Sequence, residues 1–327
     1  MKNLKKFSIA VLAFTLFFSC SIDDDGTPTQ TPEPMNIVET AQATADLSIL
    51  VDALVQAGLV NALSANGDRT VLAPTNAAFT SFLQAKGFAS LSDVPNAVLT
   101  QILLNHVIDG SNITSSDLAN TTGYAMTLAS GPNNSNLSLF YNGNGGVEFN
   151  GLSSVSTADI PTTNGIVHIV DAVIDLPTVT TFAVADPTFD TLQEALTNLT
   201  PSTDFASILA RTEANTDGID PNFTVFAPTN DAFAAITIPT DEAVLTNILL
   251  HHAISGANVR SGDLTPNGDT TATSLEGDNV VVTLPGTGSN IADIEDGSGN
   301  TDIGIIAVDV QAVNGVIHAT NKVLLPM

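Results

Sequence analysis

The chain has 327 residues, 43% of them hydrophobic, which is enough apolar material for a packed core in about two domains. Its 8 Lys and Arg residues face 34 Asp and Glu residues, a net charge of −26, so phosphate backbones and anionic membrane surfaces should repel it. One Cys, no Trp and two Tyr exclude a disulfide framework and a cysteine-based zinc site, and they leave few aromatic platforms for bases or sugars. Nucleic acid is therefore excluded as a partner.

The first 20 residues indicate export. Three lysines among the first six residues precede an apolar run from residue 7 to residue 18, which is typical of a signal peptide and too short to span a bilayer. The run ends at Ser19-Cys20, a sequence that resembles a bacterial lipobox. We expect residues 1–19 to be cleaved off and lipid to be attached to Cys20. The alternative is an ordinary signal peptide followed by an incidental cysteine.

The segment after the cysteine predicts where the lipid anchor lies. Residue 21 is Ser and not Asp, so the inner-membrane retention signal known from enterobacteria is absent. The acidic run 23–25 resembles the surface-export signal of Bacteroidetes lipoproteins, although a solvated linker could begin in the same way. Residues 20–35 are rich in Pro and Thr and predict an extended tether. We therefore predict an outer-membrane lipoprotein exposed on the cell surface, with membrane contact only through its lipid.

The remainder of the chain contains one unit twice. Three sequence motifs recur in the same order at a separation of about 150 residues, which is too long for a solenoid repeat and predicts two tandem domains, 36–177 and 178–327. The recurring pairs are TVLAPTNAAF from Thr70 and TVFAPTNDAF from Thr224, ILLNHVIDG from Ile102 and ILLHHAISG from Ile248, and NGIVH from Asn164 and NGVIH from Asn314.

Each copy predicts helices first and strands later. Apolar residues at helical spacing predict a helix that ends near Gly58, followed by a buried strand that Pro74 ends and a helix that Asn76 caps. In the second copy Pro228 and Asn230 take these places. Asn-Gly turns at 142–143 and 150–151 predict hairpins. This order favours an α+β fold with helices packed on a largely antiparallel sheet. Alternating runs predict strands at 137–141, 147–149, 165–174, 279–284, 303–310 and 315–325.

The three motifs together resemble the fasciclin (FAS1) domain family, and the resemblance covers both copies. It implies a β-sheet wedge or sandwich with packed helices, and a role in adhesion rather than catalysis. Many family members place Tyr before the mid-domain His, in a region implicated in integrin engagement by animal proteins. Asn105 and His251 stand there instead, so the resemblance carries no integrin binding to this chain. The family-motif residues, which we predict to be structural, are Thr75, Asn76, Phe79, His106, Gly110, Asn164, Gly165 and His168, with Thr229, Asn230, Phe233, His252, Gly256, Asn314, Gly315 and His318.

The histidines are the main candidates for chemistry. His106 and His252 lie on apolar helix faces, while His168 and His318 lie in apolar strands, so we expect all four to brace the core. His251 has no counterpart in the first copy and is expected to face solvent. Residues 293–302 resemble a calcium loop but lack its register and its final glutamate, which favours a solvated acidic hairpin loop.

No motif for a catalytic nucleophile, a phosphate-binding loop or a metalloprotease is present in the sequence. We therefore predict no catalytic residue, no metal site and no cofactor. The leading hypothesis is a non-enzymatic module for cell-surface adhesion or extracellular matrix interaction, whose partner is a surface protein or a polysaccharide. The alternative, suggested by the acid-rich segment 285–302, is a protein that captures a glycan or small ligand, or a hydrolase acting on surface polysaccharide.

Overall fold

The computed structural model describes residues 34–327. The predicted signal peptide, Cys20 and the tether up to residue 33 lie outside the described residues. Among residues 34–327, no helix combines the length and apolar character needed to cross a membrane. Below, residues 36–177 and 178–327 are named the first and the second repeat.

The first repeat begins with helices and ends with strands. Its helices are α1 (Ile37–Ala43), α2 (Ser48–Gln56), α3 (Val60–Ser64), α4 (Asn76–Lys86), α5 (Asn96–Leu104) and α6 (Ser115–Leu118). Its strands are β1 (Arg69–Pro74), β2 (Val107–Asp109), β3 (Thr122–Ser130), β4 (Asn136–Asn142), β5 (Glu148–Phe149), β6 (Ser153–Thr162) and β7 (Gly165–Val170).

The second repeat follows the same order with one helix fewer. Its helices are α7 (Val179–Ala185), α8 (Asp190–Thr197), α9 (Phe205–Leu209), α10 (Asn230–Ala234) and α11 (Glu242–His251). Its strands are β8 (Phe223–Pro228), β9 (Ala253–Ile254), β10 (Asp269–Thr273), β11 (Asn279–Thr283), β12 (Ala292–Glu295), β13 (Ile303–Ala312) and β14 (Gly315–Thr320).

The described residues form two seven-stranded sheets with the same topology. The first runs β2-β1-β7-β6-β5-β4-β3, and the second, read from the other edge, runs β9-β8-β14-β13-β12-β11-β10. The first motif strand and the last strand of each repeat pair in parallel, and the other pairs are antiparallel. Helices pack on each sheet around buried Phe79 and Phe233. The α+β fold predicted from the sequence is confirmed.

Two glycines of the NG motif allow the parallel pair to approach closely. A Cβ at Gly165 would lie 2.2 Å from the carbonyl oxygen of Arg69, and one at Gly315 would lie 2.2 Å from that of Phe223. Any side chain there would push β7 or β14 away from its parallel neighbour, so glycine is required by the strand contact itself.

The predicted helix caps were assigned to the wrong residues. Thr75 and Thr229 cap α4 and α10. Each hydroxyl accepts a hydrogen bond from the backbone N–H of the residue three positions later in the chain. Asn76 reaches back instead: its side-chain oxygen accepts from the backbone N–H of Ile49 at 2.9 Å, and its nitrogen donates to the Ser48 hydroxyl. Asparagine is a common helix cap, so the local sequence favoured Asn76 for that role. Its actual partner, Ile49, lies 27 residues away, and the sequence around Asn76 does not indicate it.

Candidate functional site

His106 and His252 join the end of a helix to the end of the repeat. The Nδ1–H of His106 donates to the carbonyl of Ile102 at 2.8 Å, and its Nε2 accepts from the N–H of Ile174 at 2.9 Å. His252 repeats both contacts with Ile248 and Leu324, at 2.7 and 2.9 Å. Burial lowers the pKa of each ring to about 4, so both are neutral near pH 7. Both nitrogens are therefore occupied by backbone groups.

His168 and His318 use the opposite tautomer. The Nε2–H of His168 donates to the carbonyl of Ile113 at 2.9 Å, and its Nδ1 accepts from the N–H of Asp159 at 3.2 Å. His318 makes the matching bonds to Val259 and Asp309, and burial lowers its pKa. These rings hold a loop against a bulged strand, which is a structural task.

The bulge residues Asp159 and Asp309 were missed by the sequence analysis. They adopt φ values of 60° and 64°, where β6 and β13 change register. The Asp159 carboxylate accepts from the backbone N–H and the hydroxyl of Ser115 at 2.8 and 2.5 Å, and Asp309 does the same for Ser261. A signal was available, because each Asp precedes the motif His by the same interval in both repeats.

Asn164 and Asn314 are buried, and each satisfies three backbone groups. The side-chain oxygen of Asn164 accepts from the N–H of Ile37 at 2.9 Å, while its nitrogen donates to the carbonyls of Leu63 and Ala65 at 2.7 and 2.9 Å. Asn314 makes the equivalent bonds to Val179, Leu209 and Arg211. The first helix of each repeat is thereby attached to its last hairpin.

The remaining motif residues also serve the framework. Gly110 and Gly256, with φ values of 76° and 73°, turn the chain after β2 and β9. The cavities beside His106 and His318 measure about 20 Å³ each, room for one water and no substrate. The motif residues contact separate elements of each repeat, and the structure does not assemble them into one reactive site within residues 34–327.

His251 is buried, so the expectation that it faces solvent is wrong. Its Nε2 accepts from the N–H of Gly297 at 3.0 Å, and its Nδ1 lies 3.1 Å from the hydroxyl of Ser274. Burial lowers its pKa. Both partners come from hairpin loops far along the chain, which neighbouring sequence cannot reveal. Asn105, at the same position of the first repeat, is also buried and donates to the carbonyls of Ile174 and Asp175.

His251, Glu276 and Asp278 form a cluster whose potential ligand atoms lie within 4.8 Å of one another. The geometry does not fit a metal ion. Because Nε2 of His251 accepts a hydrogen bond, the proton of the neutral ring lies on Nδ1, the nitrogen that faces the carboxylates. A metal on Nδ1 would force a proton onto Nε2, directly against the N–H of Gly297. The cluster is thus a hydrogen-bonded network.

Asp296 organises the loop that resembles a calcium site. Its carboxylate accepts from the backbone N–H groups of Ser298, Asn300 and Leu325 and from two side chains, and the residue is 4% exposed. Burial opposes its ionisation, but these hydrogen bonds outweigh burial and lower its pKa. The loop is therefore held by donors from within it and by Leu325. Residues 298–302 are exposed, as expected of a hairpin loop, but Asp296 is buried rather than solvated.

The two repeats are joined by buried contacts. The hydroxyl of Tyr124 donates to the carboxylate of Asp186 at 2.7 Å, and its ring lies 5.5 Å from that of Phe182. Burial and the Asp186 carboxylate raise the pKa of Tyr124, which keeps it a donor. The N–H of Gln311 donates to the hydroxyl of Ser138 at 2.9 Å in a buried position. The two repeats are therefore in direct contact within residues 34–327.

A groove lies at this joint. It is a cavity of about 360 Å³ lined by Tyr124 and Met126 of the first repeat and by the 306–310 segment of the second, and we call it the junction groove. Its acidic lining residues are Asp186 and Asp309. A separate cavity of about 420 Å³, which also touches Tyr124 and Met126, is lined by the first repeat alone and contains Asp109 and Asp117.

The described residues carry a large negative charge. Every Lys and Arg within residues 34–327 forms an ion pair with an aspartate. The pairs are Arg69–Asp109, Lys86–Asp175, Arg211–Asp217, Arg260–Asp309 and Lys322–Asp302. All positively charged Lys and Arg side chains of the described residues are thus neutralised by aspartates of the same chain. Most carboxylates have no such positive partner.

Comparison with known proteins identifies the class. The fasciclin domain family matches residues 45–177 and 188–326. The structure resembles a FAS1 domain pair from the insect cell adhesion molecule fasciclin I, with a TM-score of 0.50 and 20% identity, covering 86% of this chain and 97% of that one. That likeness concerns the fold. The chain belongs to the fasciclin domain family and contains two of its domains.

Relatives occur in bacteria and animals. Protein sll1483 of Synechocystis is 34% identical over 148 residues, 44% of this chain and 75% of that protein. Transforming growth factor-beta-induced protein ig-h3 of Sus scrofa is 30% identical over 268 residues, 80% of this chain but 35% of that protein. Human periostin is 25% identical over 225 residues, 67% of this chain and 24% of that protein. The chain thus spans about a third or less of these animal relatives.

Proposed function

We propose that this protein is a non-enzymatic adhesion or matrix-interaction module, anchored by lipid at Cys20 and exposed on a bacterial cell surface. One observation carries the proposal: the motif residues of both fasciclin domains are engaged in internal hydrogen bonds, which leaves the outer faces of the joined pair to act. The similar domain pair of an insect cell adhesion molecule supports an adhesive role by analogy.

The anchor and the location rest on the amino-terminal sequence. A positive start, an apolar run ending at Cys20 and an acidic stretch after it support export and lipid attachment. The partner in this proposal is a surface protein or a polysaccharide, because the anionic surface repels nucleic acid.

The test compares a deletion strain with strains expressing the native protein or Cys20→Ala. Protease added to intact cells should digest the native protein, and loss of the gene should weaken attachment and biofilm cohesion. Cys20→Ala should release the protein from the membrane and fail to restore attachment. Unchanged attachment in the deletion strain, with a protein that protease cannot reach, would refute the proposal.

A further inference from the structure

The separate cavity of about 420 Å³ in the first repeat contains both tyrosines of the chain. The sequence has two Tyr and no Trp, and Tyr124 and Tyr141 both line this cavity. We call it the tyrosine cavity. Its volume falls within the roughly 300–1,000 Å³ that is typical of small-molecule sites. The aromatic rings of the chain that combine an apolar body with a polar tip are therefore gathered at one place.

Tyr141 lies across the neighbouring strand of its sheet. It pairs with Gly123 of β3, and a Cβ at Gly123 would lie 2.8 Å from the Tyr141 hydroxyl oxygen and 3.1 Å from the ring carbon that carries it. Glycine therefore leaves the space that the ring occupies. Tyr141 is partly exposed, and its hydroxyl makes no hydrogen bond within the described residues. The hydroxyl of Tyr124 is bound to Asp186, so Tyr124 contributes ring surface only.

Two exposed carboxylates line the same cavity, and each keeps one oxygen without a donor. Asp109 pairs through Oδ1 with Nε of Arg69 at 3.0 Å, and its side chain is 51% exposed. Asp117 accepts from the N–H and the hydroxyl of Thr114 through Oδ2 alone. Within the part of the chain that the structure describes, Oδ2 of Asp109 and Oδ1 of Asp117 accept no hydrogen bond. Both oxygens can accept from the hydroxyl groups of a ligand.

Apolar side chains complete the lining of the tyrosine cavity. They include Ile113, Leu118 and Met126, and Met126 is 43% exposed. A sugar ring carries C–H groups on its faces and hydroxyl groups at its rim, so it needs apolar surface beside hydrogen-bonding groups. The cavity offers both kinds of surface next to each other.

The second repeat supplies an internal comparison for the tyrosines. Thr127 and Ser274 occupy equivalent positions, because the hydroxyl of each bonds to the residue that precedes the mid-domain motif His. Three residues earlier in the chain, the first repeat has Tyr124 and the second has Thr271. The second repeat therefore lacks the first of the two rings.

The second ring is also missing there. Tyr141 pairs with the residue before Tyr124, and Val282 pairs with the residue before Thr271, so Val282 is the counterpart of Tyr141. The cavity beside Val282 and Ala272 measures about 20 Å³, room for one water. The open tyrosine cavity is thus a property of the first repeat and not of the fold that the two repeats share.

We propose that the tyrosine cavity binds a sugar unit of an uncharged polysaccharide. The ring C–H groups pack on Tyr141 and Met126, and the sugar hydroxyls donate to Asp109 and Asp117. Acidic sugars and phosphate groups are disfavoured, because Asp117 has no cationic partner among the described residues. This inference rests on the proposed adhesive function and selects polysaccharide from its two partner classes.

Tyrosine fluorescence measures binding at this cavity directly, because the chain has no Trp and both Tyr line the cavity. The purified full chain is titrated with neutral tetrasaccharides of glucose, galactose, mannose and xylose, and with tetragalacturonate as the anionic control. At least one neutral tetrasaccharide should change the fluorescence to saturation, and tetragalacturonate should not. The proposal is overturned if no neutral tetrasaccharide gives a saturable change, or if tetragalacturonate binds equally well.

The two repeats provide a matched pair of variants for titration calorimetry. Asp117 accepts from the N–H of Thr114 at 2.8 Å, and Asp263 accepts from the N–H of Arg260 at 2.9 Å, so each carboxylate supports the same kind of turn. Asp117→Ala should weaken binding of the tetrasaccharide by about tenfold, because a charged acceptor is lost. Asp263→Ala should change the affinity by less than about twofold. Equal effects of the two substitutions would overturn the proposal.

Tyr141→Val introduces the residue that the second repeat has at this position, and it tests the aromatic ring. Binding of the tetrasaccharide should weaken by about tenfold, because the ring surface and its hydroxyl are lost together. Circular dichroism confirms that each variant is folded. An unchanged affinity in folded Tyr141→Val would show that the sugar binds elsewhere and would overturn the proposal.

Putrescine tests whether the carboxylates select an amine instead of a sugar. It carries two positive charges and no hydroxyl group, so it should bind more weakly than the best neutral tetrasaccharide at physiological salt, where exposed charges are screened. Tighter binding of putrescine than of every tetrasaccharide would assign the cavity to cations and overturn the proposal.

Attachment assays separate this inference from the adhesive function. If deletion of the gene abolishes attachment while cells carrying Asp117→Ala and Tyr141→Val attach normally, the polysaccharide partner is wrong and adhesion stands. If a neutral tetrasaccharide binds the tyrosine cavity but deletion leaves attachment unchanged, the sugar site stands and the adhesive role is wrong.

Discussion

At the scale of single residues, the buried imidazoles determine how this protein responds to acid. His106 and His252 are neutral in the folded state because their folded pKa values are about 4, below the ordinary 6.5. The unfolded chain therefore binds protons first as the pH falls. The stability contributed by each ring is complete above about pH 6.5 and is lost between that pH and about pH 4.

We expect the free energy of unfolding to fall by roughly 3 kcal/mol per ring over this interval. His251 and His318, whose pKa values are also lowered by burial, act in the same direction. Chemical denaturation at pH 7, 6 and 5 measures the effect. In His106→Gln the slope of stability against pH should decrease by about 1.4 kcal/mol per pH unit. A stability that is constant between pH 7 and pH 5 would contradict the neutral assignment.

The protonation of His251 also decides whether its cluster can bind a metal ion. One ring nitrogen and two carboxylates at short range resemble a metal site when only positions are compared. The hydrogen bond that Gly297 donates to the ring decides the proton location and removes the lone pair that a metal would need.

At the scale of elements, one asparagine per repeat fastens the first helix to the last hairpin. Asn164 serves Ile37, Leu63 and Ala65 with a single amide group, and it is 2% exposed. Water cannot easily replace this side chain, because the bonds to Ile37 and Leu63 are buried and use backbone groups that α1 and α3 leave open at their ends.

Asn164→Ala should therefore lower the free energy of unfolding by about 3 kcal/mol or more, since it leaves buried polar groups without partners. The exposed Asn96, at the first position of α5, provides the control, and Asn96→Ala should cost less than about 0.5 kcal/mol. Urea denaturation measures both. Similar losses for the two variants would show that the clamp contributes nothing particular.

At the scale of the whole molecule, the joint between the repeats combines aromatic packing with hydrogen bonds that cross it. Tyr124 contacts Phe140 of its own repeat and Phe182 of the other, and its hydroxyl reaches Asp186. Phe140 is accordingly part of the core that surrounds the second sheet. The pair therefore has a continuous interior across the joint.

We expect Tyr124→Phe to reduce the free energy of unfolding by about 2 kcal/mol, because the buried Asp186 carboxylate loses a donor in a part-buried hydrogen bond. Tyr141→Phe makes the same chemical change within the first repeat and should have a smaller effect. Differential scanning calorimetry of both variants tests this. An equal loss in the two variants would indicate that the hydroxyl does not couple the repeats.

The sequence alone determined the duplication, the α+β class and the fasciclin family, because these depend on periodic apolar patterns and on motifs that are local in the chain. It also predicted His106, His168 and their counterparts as structural; in the structure the ring nitrogens of His106 and His168 are hydrogen-bonded to backbone groups. The turn at Asn150-Gly151 was also predicted from adjacent residues alone, and both residues have positive φ in the structure.

Only the tertiary structure decided which atoms these residues contact. The partner of Asn76 lies 27 residues away, that of His251 lies 46 away, and Gln311 meets Ser138 across 173 residues. Apolar periodicity reports which face of an element is buried, but it contains no information about which distant loop supplies a donor. For the same reason the junction groove, which both repeats build together, became visible only when their strands were placed side by side.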